Sequence, residues 1–469
     1  MIHRPVKLTA PIGTMMAAML ASCASAPIPP APQPFAAVQV AGEFDARSLQ
    51  DPGLIKFLVR NLGYAPQSWD FESLCWVAFY YQQSLAVARA QWDVAQAAGK
   101  TATARPNPTL SFTPGYNSTR EAGLSPWFPG INLDFLLQSR RKTEPQAKIA
   151  ARDSEAARLS FVGAAWQVRS DFRHALDDAR DAARREEILG QQVNVLQELL
   201  TLLERRQAVG RVTTTEVSLT RTARLRGEAL LAEARALSLA AQAKVAGTLG
   251  VPASALRGLS FPVPASPPTY SEVERAELRQ RTLQARADVL AALAHYESAH
   301  AAVELQAARQ RPDFHLGPGY QWDQGANKWS VALTFELPWF HRNEGPIAEA
   351  VARRAEAAAQ FVSVQARAIG AIDAAFAAEA AARERLVRAQ EIQAAGHHRT
   401  IREKQRLALG AGDRVEVLTT LLDETTDQLA AWDAEMAQQR AAGELEDALQ
   451  IPFSHLQSIT AVREQDVHP

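Results

Sequence analysis

Two periodicities alternate along this chain. Residues Pro108, Leu110, Phe112, Pro114 and Tyr116 are interleaved with Thr109, Ser111, Thr113, Gly115 and Asn117, and Ile131, Leu133, Phe135 and Leu137 with Asn132, Asp134 and Gln138. The same period of two returns at Phe314, Leu316, Tyr320 and Trp322, and again at Trp329, Val331, Leu333, Phe335, Leu337 and Trp339. Period two over about ten residues predicts strands with one apolar and one polar face. Two β-hairpins follow, over residues 107–138 and 313–339. Proline delimits the rest, because it lacks an N–H and clashes with the preceding helical turn. None of the 26 prolines lies between Pro145 and Pro252 or between Pro346 and Pro452, and proline-free stretches also run from Gln67 to Arg105 and from Thr269 to Arg311. Each stretch reads as helix, so the fold class is mainly α with a small β component.

The elements occur twice. At an offset of 200, Leu133 matches Leu333, Phe135 matches Phe335, Phe161 matches Phe361, Gly210 matches Gly410, Glu216 matches Glu416, Leu249 matches Leu449 and Pro252 matches Pro452. A solenoid repeats every 20 to 50 residues, so this is a duplicated half-molecule. The division that follows is a signal segment 1–22, a lipidated N-terminus and linker 23–66, a first repeat 67–252, a proline-rich linker 253–270, a second repeat 271–452 and a tail 453–469. Each long helical stretch is expected to break at its shared glycine, Gly210 or Gly410, in the left-handed conformation of a helix C-cap. Capping boxes pairing Thr213 with Glu216 and Asp413 with Glu416 would start the returning helices. A helix from Gln146 to Val209 would be ~96 Å long, against ~55 Å for Thr214 to Gly250 and ~60 Å for Ser271 to Gln310 stacked upon it.

Composition narrows the class. The 469 residues are 47% hydrophobic but only 7% aromatic, which fits alanine-rich helices. With 50 basic and 51 acidic side chains, the net charge of −1 gives no field to gather nucleic acid. Apart from a signal-like run from Leu8 to Leu20, no stretch reaches the roughly 20 apolar residues of a membrane-spanning helix. That run follows Arg4 and Lys7 and ends in Leu20-Ala21-Ser22-Cys23, which resembles a bacterial lipobox with Cys23 as the acylated residue. An ordinary signal peptide with an incidental cysteine is the plainer reading. Residues 24–34 carry five prolines and read as a tether; Cys75 reads as a buried small hydrophobe.

The hairpins suit either a soluble half-buried sheet or a membrane barrel, and their aromatic ends favour the second. Four strands cannot close a barrel in lipid, where an open edge is prohibitive. The chain must then oligomerise, and a trimer would supply twelve strands around a wet lumen.

In the order and spacing of these features the chain resembles the TolC-like outer-membrane efflux proteins, lipoprotein members included. The resemblance runs from about Trp69 to Pro452, through Arg105-Pro106-Asn107-Pro108, Leu337-Pro338-Trp339-Phe340, Gly345-Pro346-Ile347-Ala348 and Leu409-Gly410 leading into Val415-Glu416-Val417-Leu418. It implies a homotrimer with a twelve-stranded outer-membrane barrel, continued by a periplasmic helical tunnel. A periplasmic adaptor and an inner-membrane pump, of the RND type in that family's pattern, would be its partners. The tips facing the adaptor would be Val209, Gly210 and Arg211, with Leu409, Gly410, Gly412, Asp413 and Arg414. Glu416, and Glu216 by duplication, would line the closing aperture, up to six carboxylates per trimer, with Arg211 or Arg414 as partners; helix capping alone would explain both equally well. The stretch around Arg342 to Ala348 points faintly to the heavy-metal efflux branch.

Nothing suggests an enzyme, a cofactor or a resident metal. His397 and His398 point about 100° apart on a helix and chelate poorly, His295 and His300 are no better spaced, and His315 sits on a polar strand face. No phosphate loop, nucleophile elbow or HExxH occurs. A different class, a lipid-anchored periplasmic coiled-coil scaffold, would satisfy the helices and the lipobox but leave the hairpins unexplained.

Overall fold

The computed structural model describes residues 37–119, 124–259 and 270–452, so Cys23, the proline-rich 24–34 and the tail 453–469 lie outside the described residues. The chain divides into two compact units, Met1–Ala46 and Arg47–Pro469. The first contributes one described helix, α1 (Ala37–Asp45), in which Gln39 Nε2 donates to Glu43 Oε1 at 3.1 Å.

The second unit runs α2 (Pro52–Leu62), α3 (Phe71–Tyr81), α4 (Gln83–Thr103), β1 (Thr109–Tyr116), β2 (Trp127–Leu137), α5 (Arg140–Ala208), α6 (Thr214–Leu249), α7 (Glu272–Ala285), α8 (Ala287–Ala308), β3 (Phe314–Asp323), β4 (Ala326–Phe335), α9 (Glu344–Ala408) and α10 (Arg414–Leu449). From α3 to α6 the order matches that from α7 to α10. The repeats are nonetheless not separate domains. Helix α5 packs along α4 and α6 of its own half and along α8 and α10 of the other. Lys148 with Glu304 at 3.3 Å and Arg152 with Glu297 at 2.9 Å join α5 to α8.

Four local features depart from the sequence expectations. The segment 23–66, expected as a lipidated N-terminus and linker, contains α2, which starts at Pro52 behind an Asp51 cap and buries Leu54 and Leu58 completely. The helix preceding each hairpin is broken in two, at Gln82 and at Arg286, which both take extended backbone. Both break residues reach carbonyls in the last turn of the returning helix of their own half, where donors are needed. Gln82 Nε2 donates to Gly247 O at 2.9 Å and Thr248 O at 2.6 Å, and Arg286 Nη1 donates to Ala448 O. The long helices also begin before their prolines: Pro346 falls in the first turn of α9, where no N–H is required, and Pro145 falls inside α5, which forgoes one backbone bond. Of 69 residues, α5 is ~100 Å long. Finally, α9 contains a window long and apolar enough by composition to cross a membrane, which the sequence reading does not single out. The window belongs to an alanine-rich helix of 65 residues packed on α8 and α10.

The largest core lies where α3 meets α2, α5 and the end of α6, with Leu54, Leu58, Leu74, Val77, Phe172, Leu176 and Leu249 all buried. The start of the expected linker joins it through Leu256. Charge is enclosed there too. Glu446 pairs with both Arg169 and Arg173, all three almost wholly buried, and Arg169 lies 4.7 Å from the centroid of the Phe71 ring. Cys75 is buried beside Arg169, and burial pushes its thiol up to about 11, so it is an inert small side chain. The second half has a smaller counterpart, around Ile372, Phe376, Leu445 and Leu449.

Candidate functional site

The two hairpins form one antiparallel sheet in the order β1-β2-β3-β4, with β2 and β3 pairing across the repeat boundary. Register puts most of the apolar strand positions on one face, Phe128 and Leu136 of β2 falling on the other. Phe112 lies opposite Ile131, Ile131 opposite Tyr320 and Tyr320 opposite Trp329, so one row crosses all four strands. Leu316 opposite Leu333 and Phe314 opposite Phe335 extend the same face. It is not covered: Phe112 is 65% exposed, Val331 73% and Trp329 79%. The other face carries Ser111, Asn132, Asp134, His315, Gln321, Ser330 and Thr334. There His315 Nδ1 lies 2.8 Å from Asp134 Oδ2, across the β2–β3 pair. The outer edges of β1 and β4 have no partner among the described strands.

Strand β4 is shorter than its alternation implies. It ends at Phe335, and Leu337 and Trp339 lie beyond it because Pro338 has no N–H to give a ladder. The hairpin turn is tight, with Gln324 at φ 50° and Gly325 at φ 94°, both positive as a two-residue hairpin turn requires.

At the other end of the long helices are two near-identical turns. Gly210 and Gly410 both adopt φ +73°, with Gly210 N donating to Gln207 O at 2.8 Å and Gly410 N to Leu407 O at 3.0 Å. The residue before each glycine, Val209 or Leu409, is an exposed apolar side chain. Gly412 is held by close approach: a Cβ there would sit 2.9 Å from the backbone N of Leu407. Beneath the turns Leu199, Leu200, Leu203, Val217 and Leu418 form one buried cluster from both halves.

The two glutamates expected at the aperture have different surroundings. Glu216 completes the capping box, accepting from Thr213 N at 3.0 Å while Thr213 Oγ1 accepts from Glu216 N at 3.3 Å. The box expected of Asp413 and Glu416 does not form. Asp413 caps α10 by accepting from Val415 N at 3.1 Å, and its carboxylate is held by Arg206 of the first turn at 2.7 and 2.5 Å. The Arg206 hydrogen bonds bring Asp413 down to about 2. Glu416 stays exposed, with Arg406 Nη1 4.0 Å away. Arg414, expected as a partner of the glutamates, pairs instead with Glu198, and Arg211 is exposed. Glu216 is thus occupied at its own helix end. Arg206 and Glu198 escaped the sequence reading because their partners lie more than 200 residues away. His397 binds Glu424 on α10 at 2.7 Å, and no group of metal-ligating side chains occurs among the described residues.

No family model and no curated protein matches the chain. Solved structures do. The outer membrane protein VceC of Vibrio cholerae is 21% identical over 81% of this chain and 95% of its own, with a TM-score of 0.67. The CmeC outer membrane channel of Campylobacter jejuni is 15% identical over 85% and 89%, with a TM-score of 0.68. The open state of the MtrE outer membrane channel of Neisseria gonorrhoeae is 15% identical over 81% and 88%, with a TM-score of 0.63. The fold is therefore the one these outer-membrane channels share.

Proposed function

We propose that this chain belongs to the TolC-like outer-membrane efflux family and is one protomer of a trimeric exit duct. The observation that carries the reading is the sheet: an exposed apolar face continuous across four strands, two edges unpaired among the described strands, and an opposite face that is mainly polar. In lipid both edges must pair. Pairing β4 of one copy with β1 of the next would close twelve strands, turn the apolar face to the bilayer and enclose Ser111, Asn132, His315 and Gln321 around water. The helices, ~100 Å long, continue the duct into the periplasm. The turns at Val209, Gly210 and Arg211 and at Leu409, Gly410, Gly412, Asp413 and Arg414 offer the surface for a periplasmic adaptor, through which an inner-membrane pump of the RND type delivers cargo. Glu416 supplies one exposed carboxylate per protomer at the narrowing, and Cys23 carries the lipid. Cargo, including a metal ion, is chosen by the pump, since the same duct serves different substrates.

The test is fractionation of a Cys23→Ala variant behind a non-lipoprotein signal, followed by electrophoresis without boiling. A duct remains in the outer membrane after urea washing, migrates as a trimer and conducts ions in a planar bilayer. A protein that washes off as a soluble helical chain would instead be the lipid-anchored scaffold.

A further inference from the structure

We propose that the junction between the sheet and the long helices binds the anionic headgroup of a phospholipid of the inner leaflet. The inference rests on the membrane-duct reading. Its first support is an imbalance in ion pairing. On the neighbouring helices, Arg152, Arg158 and Arg353 are paired with glutamates. At the junction, Arg105, Arg140, Arg141, Arg309, Arg311 and Arg342 are all exposed, and their guanidinium groups hold no ion pair among the described residues. Lys142 is neutralised by Asp313 at 2.9 Å.

Three of these arginines come together in space. Arg309 lines two adjoining concavities, one of about 690 Å³ shared with Arg342, Trp339 and Phe340, the other of about 700 Å³ shared with Arg105. Glu336, Glu344 and Asp153 also line them, so the site is a mixed rim in which cations remain unpaired. Trp339 continues the spacing of Trp329, Val331, Leu333 and Phe335, the row on the apolar face. With Trp339 79% and Phe340 92% exposed, an apolar surface and free guanidinium groups meet at one level of the molecule. A lipid suits both halves: its acyl chain lies along the apolar strands, and its phosphate receives parallel N–H bonds from arginine. Tryptophan favours that interfacial depth. A soluble anion would use the arginines but leave the aromatic pair and the strand face uncovered.

The experiment uses full-length protein reconstituted as a trimer in vesicles of phosphatidylcholine alone or with one fifth phosphatidylglycerol, reading lipid retained through purification by mass spectrometry. Phosphatidylglycerol should be enriched around the wild type and depleted at least about fivefold in the double variant R309Q/R342Q, the scale expected for removing basic contacts at an anionic surface. Arg367→Gln, on α9, serves as the charge control and should retain the lipid. Trp339→Ala should weaken retention of both lipids. Equal retention of the two lipids by the wild type, or an unchanged R309Q/R342Q profile, overturns the proposal, as does displacement of the lipid by millimolar glycerol phosphate, which would mark a free-anion site. If the chain inserts and conducts yet shows no preference, only this inference fails; if it never inserts, the duct reading fails first.

Discussion

Arg206 holds Asp413 through two parallel hydrogen bonds of 2.7 and 2.5 Å, joining the last turn of α5 to the N-cap of α10. One carboxylate therefore caps a helix and ties the two turns together. The pair lies beside an intact glycine turn and above an apolar cluster shared by three helices, α5, α6 and α10, so the two hairpin ends are positioned as one object.

Replacing Asp413 by alanine should free the two turns from each other. With Val209 and Leu409, both exposed, changed to spin-labelled cysteines, the distance distribution between them is expected to broaden in Asp413→Ala and stay narrow in the parent; Cys75 is buried and should not label. The pH dependence follows from the sign of the shift. Asp413 is lowered from 3.8 to about 2, so the pair is fully present above about pH 4 and is lost as pH falls through 2. Broadening that appeared only at alkaline pH would contradict this assignment.

The two duplicated glutamates should behave differently. Glu416→Lys is expected to alter single-channel conductance or cation preference, because its carboxylate is exposed and not committed to a cap. Glu216→Gln should leave selectivity unchanged and lower stability by no more than about 1 kcal/mol, since the capping box it completes is a local feature. Equal effects on selectivity would show that the capping assignment of Glu216 is wrong.

Glu446→Gln should be among the most destabilising conservative substitutions in the chain. It leaves Arg169 and Arg173 buried without their shared anion, a change worth about 3–5 kcal/mol where a buried pair is broken. The midpoint of urea unfolding should fall accordingly, and an unshifted midpoint would mean the arginines find other partners.

At the turns, Gly410→Ala should cost about 1–2 kcal/mol for a side chain at positive φ. Gly412→Ala should perturb the turn by a different route, because its Cβ would meet the backbone of Leu407 at 2.9 Å. Amide hydrogen exchange over residues 405–416 would register both; unchanged protection in either variant argues against the corresponding constraint.

Periodicity and proline placement determined the local plan. The alternation at Leu110 to Tyr116 and at Trp329 to Phe335, the duplicated glycines and the proline-free runs are properties of neighbouring residues, so helix, hairpin and turn could be read in order from the chain. The capping box at Thr213 and Glu216 was legible for the same reason. What the tertiary structure decided involves residues far apart or breaks no local rule. Gln82 and Arg286 interrupt helices without proline or glycine, their side chains being drawn to the ends of α6 and α10. Asp413 and Glu416 have the spacing of a capping box, yet an arginine 207 positions away takes the aspartate. The joining of two hairpins into one sheet through β2 and β3 is likewise a pairing between halves. Local pattern carries the energetics of single elements, whereas a side chain with two available partners is assigned only when folding brings the distant one within hydrogen-bond reach.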